Sequence, residues 1–205
     1  ILLSAIAVAY NNCQMGKIIA CPTAGACGIL PGLLIPLSNQ KKISEARQIE
    51  ALIVAGEIGR LIAEQTSISG AVGGCMVECG VASAMSAAAV TYLFNENINV
   101  IFNAAALALK NNLGLTCDPV AGLVEAPCVK RNGFKALEAL TAAQLALVGV
   151  CSAIPFDEVI LAVKQTANDM DKKYKETAIA GLAATPTAKR IERKIRGQTS
   201  LKSLF

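Results

Sequence analysis

Residues 76–94 are Ala-rich and almost uncharged, and from Cys79 to Asn95 there are 17 consecutive uncharged residues, most of them Ala, Ser, Val or Gly. A helix of this composition has no polar face to turn to water, so it is predicted to be surrounded on all sides. The small side chains suit close packing against protein better than contact with lipid, where Leu, Ile and Phe with aromatic girdles are the rule. The uncharged stretch Leu140–Phe156 has the same character. A third, 23 residues between Lys17 and Lys41, is long enough to span a bilayer but holds Pro22, Pro31 and Pro36 with Gly25, Gly28 and Gly32. Those breakers would leave backbone groups that lipid cannot satisfy. No membrane span is therefore expected, although mean hydropathy is +0.50.

The rest of the chain is also helical in pattern. Residues 43–64 place Ile49, Leu52, Ile53, Ile58, Leu61 and Ile62 on one broad face, with Glu50, Glu57, Arg60 and Glu64 on another, a period near 3.6. Residues 97–112 and 133–152 continue in kind. Pro155, followed by Asp157 and Glu158, opens a helix running to about Lys172, and Thr185-Pro186 cap a last one ending at Gly197. No alternating run supports a sheet. The expectation is a single all-α domain over residues 1–205, packed around a buried central helix. The chain opens at Ile1 inside the apolar run ILLSAIAVAY, without a basic segment or a cleavage site, so a part before it is expected to be missing. A reducing cytoplasm is the default compartment.

Charge adds little. Residues 186–205 hold Lys189, Arg190, Arg193, Lys194, Arg196 and Lys202 against Glu192, while the remainder is close to neutral. No aromatic residue interleaves with these cations before Phe205, so the helix reads as solvated or partner-facing and no nucleic-acid partner follows. The 205 residues contain no His, which removes imidazole bases and His metal sites from this chain, whereas eight Cys remain. Five of them, Cys21, Cys27, Cys75, Cys117 and Cys128, fall in the Gly/Pro-rich segments 18–38, 66–75 and 113–128, which with 173–186 are the expected site loops. Thiolates on separate loops can converge on zinc or an iron–sulfur cluster. The spacings alone do not choose between that and buried packing, and Cys13, Cys79 and Cys151 read as packing residues.

Four stretches carry a more specific signal: GKIIACPTAGACGILPG (16–32), SGAVGGCMVECG (69–80), GLTCDPVAGLVEAPCVKRN (114–132) and YKETAIAGLAATPT (174–187). Together they closely resemble the iron–sulfur L-serine dehydratases, in particular the alpha chain of the two-chain form. The resemblance implies a [4Fe–4S] cluster on Cys75, Cys117 and Cys128, and conversion of L-serine to pyruvate and ammonia without pyridoxal phosphate. An iron lacking a protein ligand would act on the substrate hydroxyl as a Lewis acid, and such a centre is expected to lose activity in air. Thr23 and Gly25, in the stretch matching the family's PTNG-like motif, are candidates to bind substrate, as are Lys130 and Arg131 beside Cys128. Glu176 and Thr177 are candidates to line the pocket, and Asp118 is expected to fix its loop by bonding backbone amides. No segment matches the family's beta part or its SSSHT-like motif, so the catalytic base is unassigned and a beta chain is an expected partner, with a homo-oligomer also possible. A cysteine desulfidase or threonine dehydratase, or a non-catalytic helical module holding zinc, are the alternatives.

Overall fold

The computed structural model describes residues 1–202; the last three, with Phe205, lie outside the described residues. Among the described residues eight α-helices run in order: α1 (Leu2–Cys13), α2 (Ile29–Lys41), α3 (Glu45–Ala63), α4 (Gly70–Phe94), α5 (Ile98–Lys110), α6 (Cys128–Leu147), α7 (Phe156–Asp169) and α8 (Pro186–Lys202). Among the described residues the only β-type pairing is one isolated bridge, Cys117 to Lys175.

The helix without a polar face is the centre of the fold. Every residue of α4 from Gly73 to Thr91 is buried, under α2, α3, α5, α6 and α7. It is the one helix among the described residues long and apolar enough to cross a membrane, yet 89% of its apolar stretch is buried within the protein. Two of its buried hydroxyls are satisfied within the helix, Ser86 donating to Ala82 O at 2.6 Å and Thr91 to Ala87 O at 2.8 Å, and Ser83 donates to Lys135 O of α6 at 3.3 Å. Buried polar groups bonded in this way cost little, which is how Ser and Thr can stand in a core.

Three expectations need correction. In α3 the buried face is Ala51, Ala55, Ile58, Gly59 and Ile62, while Ile49, Leu52 and Ile53 are exposed. Small residues let α3 lie close on α4, with Gly59 against the Met85 side chain; close packing outweighs the larger apolar side chains beside it. Half of the breaker-rich segment 18–38 is helix, since Pro31 stands in the first turn of α2, where a missing N–H costs nothing, and only Pro36 is interior. α8 runs past Gly197 to Lys202. Smaller differences follow the caps: Ser44 accepts from the Arg47 amide at the start of α3, Thr185 from the Ala188 amide in α8, and α7 stops at Asp169.

Candidate metal centre

The site is built where helices begin. α4 breaks at Gly73 and Gly74 and restarts at Cys75. Gly74 has φ +70, and a Cβ there would stand 2.9 Å from Leu115 O, so only glycine suits the break. The amide of Met76, left free by the restart, donates to Leu115 O at 2.8 Å, which ties the 113–119 segment to the helix end. α6 opens on Cys128 itself, and not in the connector where the sequence pattern put it. Two cysteines thus stand at helix N-termini, where the dipole favours a thiolate. Cys117 lies on the extended segment between α5 and α6. Its amide donates to Tyr174 O at 2.8 Å, and its carbonyl accepts from the Glu176 amide at 2.9 Å.

These segments bring the thiols together. The sulfurs of Cys75 and Cys117 lie within 4.8 Å of each other, and Cys75 receives Arg131 Nη1 at 3.1 Å. Donation from the three neighbouring thiols, helped by the Arg131 charge, holds Cys75 far below the ordinary thiol range despite its burial. Bonding to Cys75 and burial push Cys79, Cys117 and Cys128 up. Arg131 is oriented by Thr116 O at 3.0 Å and by Asp118 Oδ1 at 3.3 Å. Asp118 also accepts from the Leu182 amide at 2.8 Å, so it does hold its loop through a backbone amide.

Glu78, unmarked in the sequence reading, stands one turn beyond Cys75. One of its carboxylate oxygens and the sulfurs of Cys75 and Cys117 all lie within 4.8 Å of one another, a group able to hold a metal ion. Burial raises its pKa to about 6, opposed by a short hydrogen bond from the Thr23 hydroxyl. The signal for Glu78 was present: it is the single charge in an otherwise uncharged helix, and its spacing puts it on the face of Cys75 and Cys79. Gly25 packs on the same carboxylate, and a Cβ there would stand 2.7 Å from Glu78 Oε1.

Asn132 joins the two halves of the site. Fully buried on α6, it donates to Gly25 O at 2.8 Å and Cys128 O at 2.9 Å and accepts from the Gly28 amide at 2.9 Å. Its three bonds fasten the loop bearing Thr23 to the helix bearing Cys128.

Of the remaining candidates, Lys130 is exposed and joins no hydrogen bond or ion pair of this group. Glu176 and Thr177 are exposed, though the Glu176 carboxylate approaches Gly70 beside Cys117. Cys79 belongs with the thiol group as well as with the core. Cys151 is exposed, contrary to its reading as a packing residue, because it falls in the connection after α6. All eight cysteines are free.

Comparison with known proteins gives a consistent result. A family model described as the serine dehydratase alpha chain matches residues 1–183. A probable L-serine dehydratase alpha chain of Bacillus subtilis is 47% identical over 193 residues, covering 93% of this chain and 64% of that protein. One of the same description from Latilactobacillus sakei is 46% identical, over 95% of this chain and 93% of the relative. An L-serine dehydratase of Streptomyces coelicolor is 44% identical over 89% of this chain, which spans 41% of its length.

Proposed function

The chain belongs to the serine dehydratase alpha-chain family, and from that premise we propose that it carries the iron–sulfur site of an enzyme converting L-serine to pyruvate and ammonia. Cys75, Cys117 and Cys128 would hold the [4Fe–4S] cluster. The observation that supports this reading most is that a segment 42 residues away in sequence brings the Cys117 thiol to Cys75, with Glu78 and a guanidinium beside them. The chemistry of the donor set fits, since soft thiolates select such a group. When bound, the cluster supplies a Lewis acid for departure of the substrate hydroxyl.

The chain's own residues have separate tasks in this reading. Arg131, braced by Asp118, keeps a positive charge on the thiolates and offsets the charge they accumulate. Thr23 and Gly25, held by Asn132, face the buried Glu78 carboxylate and offer a hydroxyl and close backbone approach to the substrate. Asn132 keeps that loop in register with Cys128. The α-proton must pass to a base that this His-free chain does not identify, so a beta chain completes the site. Free cysteines suit a reducing compartment such as the cytoplasm.

Anaerobic loading with iron and sulfide, followed by a pyruvate assay with and without the beta chain, tests the reading. Cluster binding by the chain alone, with turnover only in the pair, is expected; full turnover by the chain alone would contradict it. Comparing serine, threonine and cysteine as substrates separates dehydratase from desulfidase. The proximity of the Glu78 carboxylate to Cys75 and Cys117 favours one second reading, a zinc-holding helical module. Metal analysis distinguishes it, because zinc would arrive without acid-labile sulfide.

A further inference from the structure

Among the described residues two carboxylates are buried, Asp118 and Glu78, the latter 9% exposed. Asp118 has Arg131 as its counter-charge at 3.3 Å, whereas Glu78 has no ion-pair partner among the described residues. Its Oε1 accepts from the Thr23 hydroxyl, and its Oε2 accepts no hydrogen bond there. Glycines flank the group on both sides. A Cβ on Gly25 would stand 2.7 Å from Oε1, and one on Gly70 would stand 3.2 Å from Oε2. The same place beside Gly70 lies 3.5 Å from Glu176 Oε2 and 3.7 Å from Cys117 Sγ. Glu176 is fixed there by its amide, which donates to Cys117 O at 2.9 Å. The field of Arg131 reaches Glu78, but its guanidinium is engaged by Cys75, Thr116 O and Asp118. Two carboxylates thus converge where Gly70 leaves out a side chain, with no cation between them. A buried carboxylate without a counter-charge is costly, and in a site it marks a place for a cationic ligand.

We propose that Glu78, assisted by Glu176, binds the α-ammonium group of the substrate and so selects 2-amino acids over their 2-hydroxy counterparts. This rests on the serine dehydratase reading above and goes beyond it, because L-serine brings a carboxylate, a hydroxyl and an ammonium, and the last had no partner. An ammonium has three N–H donors and no acceptor. Glu78 Oε2 and Glu176 Oε2, approaching one place from two segments, answer two of them, whereas a base for the α-proton needs a single oxygen. The Thr23 hydroxyl holds the other Glu78 oxygen and so fixes the plane of the carboxylate. Glu78 supplies most of the binding because it is buried, and the exposed Glu176 is screened by water. A 2-hydroxy acid in the same place leaves the buried charge unpaired, which is how such a site rejects it.

The test uses the anaerobically loaded chain with its beta partner, L-serine as substrate, and two inhibitors. One is 3-hydroxypropionate, which is serine without the ammonium; the other is glycerate, which has a hydroxyl in its place. Glu78→Gln keeps the shape of the side chain and removes its charge. It should raise the KM for serine about 30-fold, with kcat changed far less and with iron and sulfide content intact. Inhibition by 3-hydroxypropionate should stay the same, and inhibition by glycerate should strengthen. Glu176→Gln, at an exposed position that the fold does not depend on, should raise the KM about threefold. An unchanged KM in Glu78→Gln, equal weakening of serine and 3-hydroxypropionate, a loss confined to kcat, or a loss of iron would each overturn the proposal. A wild-type chain that takes up no iron and sulfide would instead overturn the serine dehydratase reading, and this inference with it.

Discussion

The two ends of α4 are equally buried and chemically unlike. Along its C-terminal half the buried polar groups are neutral hydroxyls: Ser86 and Thr91 bond to carbonyls four residues back, and Ser83 to Lys135 O of the neighbouring α6. At its N-terminal end, Glu78 finds Thr23 at a sequence separation of 55 and Cys75 finds Arg131 at 56. A buried group satisfied by its own helix serves the fold alone. One satisfied from distant segments fixes those segments relative to one another, which is what a site requires. The comparison separates residues that fill space from residues that hold chemistry, although exposure does not distinguish them.

Substitutions at the two ends should therefore fail differently. The largest effect is expected for Cys75→Ser: loss of the iron–sulfur absorbance and at least ~100-fold lower turnover, while a folded, helical chain remains by circular dichroism. Next comes Ala88→Leu, in the space-filling half, where overpacking should cost about 1–3 kcal/mol; a denaturant melt measures this, and iron bound per folded chain should not change. Asn132→Ala removes the bonds to Gly25, Gly28 and Cys128. It should raise the KM for serine about tenfold, roughly the loss of one or two hydrogen bonds, with cluster content retained as measured by iron assay. The smallest effect belongs to Ser86→Ala, below about 1 kcal/mol in the same melt, since its hydroxyl serves only its own helix. Loss of iron binding in Ala88→Leu, or unchanged iron content in Cys75→Ser, would break the distinction.

Much of this could be seen in the sequence, and the exceptions have physical causes. The buried central helix was legible because a run with no polar face has one solution. Cys75 and Cys117, which stand together beside Glu78, and Asp118 could be picked out through motifs, and Thr185 through its cap. Glu78 was overlooked because a lone carboxylate reads as a solvated charge until a loop such as 21–28 is known to cover it. Asn132 gave no signal, since its role depends on partners more than 100 residues away. On α3 the 3.6-residue period marks a broad apolar face but not which side of it is buried, and Ala51, Ala55 and Gly59 win by close approach to α4. Lys130 and Arg131 are adjacent in sequence, but the turn of α6 sends only Arg131 to the thiols.

The most direct test of the central claim is iron and acid-labile sulfide analysis of the anaerobically loaded chain beside its Cys75→Ser, Cys117→Ser and Cys128→Ser variants. The account predicts about four of each per chain and loss of the cluster in all three variants. Zinc without sulfide, or a Cys128→Ser chain that keeps its full complement, would contradict it.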